Sequence, residues 1–149
     1  MPSDLTHHLG YWLRVVSNQV SHAFAKKLEA SGVTVAEWVV LRNMYGGDQT
    51  TSPSVVADYT GLSRGAISKL ISRLLKKDLV TRTEAAGDRR YQDIQLTAAA
   101  LKLVPKLAQL ADANDDAFFA VLNPGERRTL KELLQRIADD HAFKTVPID

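Results

Sequence analysis

The sequence contains no cysteine, and this absence excludes three classes of protein at once. Without thiols there is no disulfide-stapled scaffold, no thiolate zinc site and no redox sensor that works through a cysteine. Long apolar runs are also missing, since no segment approaches the roughly 18 continuous apolar residues of a membrane-spanning helix. The first residues show neither the basic start nor the apolar run of a secretory signal, so we expect a cytoplasmic protein.

Signatures of catalysis and metal binding are equally scarce. The histidines lack the spacing of a helical metal pair such as H-E-x-x-H; they are His7, His8, His22 and His141. The sequence also has no G-x-S-x-G motif and no phosphate-binding glycine loop. We therefore expect neither enzymatic activity nor a bound metal or cofactor.

The charge of the chain is unevenly distributed. Its net value is only +2 at pH 7, but residues 64–90 contain eight basic and three acidic residues. This segment therefore carries +5 and the remainder carries −3. A basic block within a slightly acidic chain is typical of proteins that bind phosphate groups of nucleic acids.

Apolar residues at spacings of three and four predict a first helix over residues 4–30. Its stripe consists of Leu5, Leu9, Trp12, Val16, Val20, Phe24 and Leu28. A small monomer has too few other elements to cover so long a stripe, which indicates a partner helix. A second helix begins at Thr34, where Thr34 and Glu37 form a capping-box pattern. A short third helix begins at Ser52-Pro53 and ends at Gly61.

A fourth helix, with Ser63 as N-cap, is predicted to reach Lys77, and its two faces differ in polarity. One arc is apolar and consists of Ile67, Leu70, Ile71, Leu74 and Leu75. The opposite arc is polar and basic and consists of Ser68, Lys69, Ser72, Arg73 and Lys76. A short helix, a glycine-containing turn and a helix with a basic outer face are typical of a helix-turn-helix motif.

Two β-like segments follow, residues 79–83 and 91–96, with a polar hairpin tip at residues 84–90 between them. A helical pattern returns from Thr97 to about Leu122, with Pro105 inside it, and a last helix begins at Asn123-Pro124. The predicted fold is mostly α with a small β-hairpin: a winged helix-turn-helix lobe and a helical dimerisation region. We place the lobe at residues 33–96 and the dimerisation region at residues 1–32 and 97–149.

The fourth helix has the size and polarity to lie in the major groove of B-DNA. Its N-terminal end should face the bases, so Ser63, Arg64 and Ser68 are the predicted base or near-base contacts. The rest of the outer face is predicted to contact phosphates; it consists of Lys69, Ser72, Arg73 and Lys76. On the hairpin, Asp88 is expected to pair with Arg89 or Arg90 and extend a guanidinium toward a narrow minor groove.

Residues 52–97 resemble the DNA-binding lobe of the MarR family of bacterial transcription regulators. The resemblance lies in Gly61-Leu62-Ser63-Arg64-Gly65-Ala66-Ile67-Ser68-Lys69-Leu70, and in Asp88-Arg89-Arg90 followed by Leu96-Thr97. It implies a homodimer whose reading helices meet successive major grooves of a pseudo-palindromic operator. The lack of cysteine excludes the branch of the family that senses peroxide through a thiol.

One residue departs from the family pattern, and one property of the family is only weakly visible. Asp78 stands where the family usually has glycine, although aspartate can also adopt a left-handed conformation. The resemblance also implies release of DNA by a small aromatic or acidic effector. Candidate effector residues are Trp12, Arg14, His22, Trp38 and Tyr45; aromatic residues at helical spacing are also typical of a core. An alternative function is a helical interaction module that binds an acidic protein partner through its basic helix.

Overall fold

The computed structural model describes residues 1–47, 49–85 and 88–148, without the side chains of residues 84–92. A short 3₁₀ helix, Leu5–His7, precedes the α-helices. The helices are α1 (Leu9–Glu29), α2 (Val35–Met44), α3 (Pro53–Thr60), α4 (Arg64–Lys76), α5 (Ala98–Phe118) and α6 (Pro124–Asp140). The strands are β1 (Thr50–Thr51), β2 (Val80–Ala85) and β3 (Asp88–Leu96). None of the described helices is long and apolar enough to cross a membrane.

Helix starts follow the capping signals in the sequence. The Thr34 hydroxyl accepts from the Glu37 N–H, and Glu37 Oε1 accepts from the Thr34 N–H, which completes the predicted capping box. Ser52 and Ser63 cap α3 and α4 through their side-chain oxygens. Each cap satisfies an N–H group that the first helical turn leaves without a backbone partner.

Some boundaries differ from the predicted ones. The first helix was expected from Asp4, but the 3₁₀ helix ends at His7 and α1 begins only at Leu9. The fifth helix ends at Phe118, before the predicted Leu122, and continues through Pro105. Proline at an interior position removes one backbone hydrogen bond without necessarily ending the helix.

The sheet is larger than the predicted hairpin. It has the order β1-β3-β2, and the antiparallel pairing of Val80 with Leu96 continues outward to Glu84 with Gln92. Because the ladder extends so far, the backbone of residues 88–90 belongs to β3, and the prediction of a loop there was wrong. The two-residue strand β1 was not predicted, because a segment that short has no periodicity to detect.

The core gathers the apolar faces of the helices around the base of the sheet. α4 contributes Ile67, Leu70, Ile71 and Leu74, all buried as its apolar arc predicts. The stripe of α1 is divided: its C-terminal Leu28 is fully buried, whereas Leu9 and Trp12 near its start are exposed. On α6 the whole apolar stripe is exposed; it consists of Leu130, Leu133, Leu134 and Ile137.

Candidate nucleic-acid interface

The turn between α3 and α4 places α4 at the surface. Gly61 follows α3 with φ +72°, a left-handed conformation in which a Cβ would cost conformational energy. Its N–H donates to the Ala57 carbonyl at 2.9 Å, which closes the end of α3. Leu62 then leads to Ser63, whose hydroxyl accepts from the Ala66 N–H at 3.2 Å. A tight glycine turn and an immediate N-cap thus separate the two helices of the motif.

The outer face of α4 is open to solvent. All seven residues predicted on the motif are exposed: Ser63, Arg64, Ser68, Lys69, Ser72, Arg73 and Lys76. Among the side chains that the structure describes, none of the four cations on this face pairs with a carboxylate. Unpaired guanidinium and ammonium groups on one helical face are available for phosphate oxygens and base edges.

The wing lies directly after α4 in the chain. β2 and β3 form an antiparallel hairpin, and Thr81, Arg82 and Thr83 on β2 are exposed. Arg82 was counted in the basic block but was not predicted as a contact. The side chains of Asp88, Arg89 and Arg90 lie outside the described residues, so their predicted bracing and minor-groove contact remain predictions. Their backbone places them on β3 beside the hairpin tip.

The C-terminal end of α4 carries a polar contact that the sequence did not predict. Lys77 Nζ donates to Glu37 Oε1 at 2.8 Å and to the Gly32 carbonyl at 2.7 Å. Glu37 is fully buried, and its burial alone would raise the pKa of the carboxyl. The hydrogen bonds from Lys77 and Thr34 outweigh that effect, so the net shift of the pKa is downward. No local pattern reveals a pair whose members lie 40 positions apart.

Asp78 follows the C-cap of α4 and terminates the helix. It has φ +57°, the left-handed conformation expected where the family usually has glycine. The Leu79 N–H reaches the Leu74 carbonyl at 3.0 Å, and the Thr97 hydroxyl donates to the Asp78 carbonyl at 2.8 Å. These bonds satisfy backbone groups at the helix end. The departure at Asp78 therefore leaves the left-handed cap intact.

The candidate effector residues do not form one cluster within a single chain. Trp38 lies half-buried, edge-to-face with Phe24 at 6.2 Å, and Tyr45 packs against the same core. Trp12 is 51% exposed, and its indole N–H donates to the Thr6 carbonyl. Twelve residues of helix separate Trp12 from Phe24, about 18 Å along the axis.

Arg14 and His22 are exposed on α1. Arg14 points to nearly the opposite side of the helix from Trp12, because two residues turn the helix by about 200°. The assignment of these residues to an effector remains a prediction. Trp38 and Tyr45 are the members of the set that pack against the core.

A helix pair joined by a glycine turn, an outward basic face and an adjoining two-stranded wing define a winged helix-turn-helix protein. Residues 31–90 match the model of the MarR family. Over this segment, which includes α2, α3, α4 and most of the wing, the chain is similar to the MarR family of transcription regulators.

Similarity to individual regulators extends over nearly the whole chain. A transcriptional regulatory protein for the hcr operon of Thauera aromatica is 28% identical over 90% of this chain and 81% of its own length. The HTH-type transcriptional repressor NicR of Pseudomonas putida is 23% identical over 93% of this chain and 87% of its own. The structure of Bordetella bronchiseptica BpsR, whose DNA binding is regulated by 6-hydroxynicotinic acid, is 26% identical. It covers 93% of this chain and 99% of its own with a TM-score of 0.77.

Proposed function

We propose that the chain is a homodimeric repressor that occupies a pseudo-palindromic DNA operator and releases it when a small aromatic acid binds. The observation that carries this proposal is the solvent-exposed basic face of α4, opposite an apolar face with four buried residues and next to the wing. Such a helix inserts into the major groove with its polar side outward from the protein core. We propose a cytoplasmic regulator rather than an enzyme.

The dimer is supported by the two exposed apolar surfaces of the helical region. Leu9, Trp12 and Val16 at the start of α1 and Leu133 and Ile137 on α6 form stripes that no described element covers. Large exposed apolar stripes on soluble proteins mark interfaces. We assign residues 1–32 and 97–149 to dimerisation and residues 33–96 to DNA binding. The resulting dimer would hold its two copies of α4 about 34–36 Å apart, the distance between successive major grooves on one side of the duplex.

Selection of bound sites from random duplexes tests the proposed function. We expect a consensus with two inverted half-sites one helical turn apart, bound with an affinity that falls steeply as salt rises. An interaction module for acidic proteins predicts no enriched sequence and no such salt dependence. Enrichment of a single unrepeated half-site would contradict the dimer but leave DNA binding standing.

Release by an effector is supported by two observations. Trp38 on α2 and Tyr45 directly after it are half-buried beside the core, and DNA binding by the relative BpsR is regulated by 6-hydroxynicotinic acid. We propose hydroxylated aromatic acids as the ligand class. Titration of the operator complex with such acids should lower its fluorescence anisotropy and quench tryptophan emission, whereas an aliphatic dicarboxylic acid at the same concentration should do neither.

A further inference from the structure

Lys77, the C-cap of α4, is hydrogen-bonded to residues that precede the motif in the chain. It donates to a fully buried carboxylate, Glu37 at the start of α2, and to the Gly32 carbonyl in the turn between α1 and α2. Both lysines are exposed, Lys77 with 36% of its side chain, but no ion pair joins its neighbour Lys76 to a described side chain. Two adjacent lysines therefore have different surroundings.

Several elements meet at this end of the helix. Lys77 connects it to the α1–α2 turn, and the Asp78 carbonyl accepts from Thr97, the N-cap of α5. α1 and α5 pack against each other and form part of the region that we assign to dimerisation. The C-terminal end of α4 is thus anchored to the helices that set the arrangement of the two copies. The N-terminal end, with Ser63 and Arg64, lies farthest from this anchor.

The length of α4 turns small changes at the anchor into large ones at the DNA. Its 13 residues span about 20 Å. A tilt of about 10° about the anchored end would therefore move the N-terminal end by about 3 Å, close to the ~3.4 Å between successive base pairs. In a dimer the displacement would occur in both copies of α4. It would therefore change the half-site spacing of the operators that the two helices can bind together.

We propose that Lys77 is a positioning residue: through Glu37 and Gly32 it sets the tilt of the reading helix, and thereby the half-site spacing, without contacting DNA. The inference rests on the proposed operator binding. It separates Lys77 from the other basic residues of α4, which act on DNA directly. A charge-assisted bond to a buried acceptor suits this role, because it is shorter and stronger than a neutral hydrogen bond.

The test uses a charge-neutral double variant, Lys77→Met with Glu37→Gln. This pair of changes removes the bond to Gly32 and the ion pair but leaves the net charge of the protein unchanged. It also avoids an uncompensated buried carboxylate, and glutamine can still complete a capping box. Lys76→Met is the matched control, since it removes one exposed ammonium from the adjacent position.

Affinities for the selected operator and for an unrelated duplex are measured across a salt series on full-length protein shown to be folded by circular dichroism. For the double variant we expect about a tenfold loss of operator affinity, unchanged non-specific affinity and an unchanged salt slope. It should also tolerate operators with one base pair added or removed between half-sites. Lys76→Met should instead lower the affinities for both duplexes by similar factors and reduce the magnitude of the salt slope by about 0.9.

A double variant with the wild-type ratio of specific to non-specific affinity and the wild-type spacing preference would overturn the positioning role. If that variant fails to fold, Glu37→Gln alone decides the question. The removal of an acid should leave DNA affinity equal or higher on electrostatic grounds alone, whereas loss of positioning lowers operator affinity by about threefold. Equal or tighter operator binding by Glu37→Gln therefore overturns the inference. Wild-type protein that binds all duplexes alike would overturn the proposed function itself.

Discussion

α4 and α6 are both amphipathic helices, but the apolar face of α4 is buried and that of α6 is exposed. The apolar arc of α4, which includes Leu70 and Leu74, is buried against the core, so its polar face is what other molecules meet. The apolar arc of α6 is exposed along its length, with Ile137 at 51% exposure. The difference shows that amphipathicity alone does not identify the functional face of a helix. The face that the chain leaves uncovered does.

The buried arc of α4 gives the largest expected effect. Leu74→Ala removes a fully buried side chain and leaves a cavity, so we expect a loss of about 2–5 kcal/mol in the free energy of unfolding. Lys76→Ala, two residues further on the exposed face, should change it by less than about 0.5 kcal/mol. Denaturant titration followed by circular dichroism measures both. Similar losses for the two variants would show that the arcs of α4 are not separated as described.

The exposed arc of α6 gives the next effect. Ile137→Lys places a charge in the proposed dimer interface, and we expect the dimer dissociation constant to rise by about 100-fold, or ~2.7 kcal/mol. Sedimentation at micromolar concentration should then report the chain mass of 16.4 kDa in place of twice that value. Gln135→Lys adds the same charge on the polar side of α6 and should leave the dimer intact. A dimeric Ile137→Lys protein would place the interface elsewhere.

Operator affinity should depend on the wing as well as on the outer face of α4. Arg90→Ala is expected to lower operator affinity by about tenfold, or ~1.4 kcal/mol, because an arginine in a narrow minor groove is lost. Lys102→Ala changes the same charge on α5, outside the basic block, and should cost less than about twofold. Both are compared in a binding titration at one fixed salt concentration. Equal losses would refute the assignment of the wing to DNA.

Acid should reduce the stabilisation by Glu37 at the end of α4 more than the stabilisation by the ion pairs of α6. The pKa of Glu37 in the folded protein lies below the ordinary value of 4.5. Its ionised form therefore stabilises the fold fully above pH 4.5, and this contribution is lost as the pH falls through the lower folded value. We expect Glu37→Gln to lose less stability than wild type on acidification, because it lacks the carboxylate whose contribution is titrated away.

Arg127 on α6 provides the comparison for this pH effect, because its partners Asp115 and Asp116 are exposed. Arg127→Ala should behave like wild type on acidification, since exposed ion pairs contribute about 0–1 kcal/mol. Denaturant midpoints measured at neutral and acidic pH for the three proteins check the expectation. Parallel acid dependence in wild type and Glu37→Gln would contradict the shifted pKa.

Local signals in the sequence predicted most of the fold. Ser52, Ser63 and Thr34 cap their helices as expected, and Gly61 ends α3, because caps and turns depend on residues within a few positions. The exposed face of α4 followed from its period for the same reason. The extent of the hairpin was predicted less well. Its ladder continues to Glu84 and Gln92, because cross-strand pairing rather than local propensity decides where a strand ends.

The sequence by itself determined the order of the α-helices, the two faces of α4 and the presence of a basic block. Only the tertiary structure decided that Lys77, one residue of that block, is hydrogen-bonded to Glu37. It also decided that the apolar stripe of α1 is buried at Leu28 but exposed at Leu9. The physical reason is range. Helical periodicity and capping act within one or two turns, whereas burial and charge pairing depend on residues brought together from distant parts of the chain.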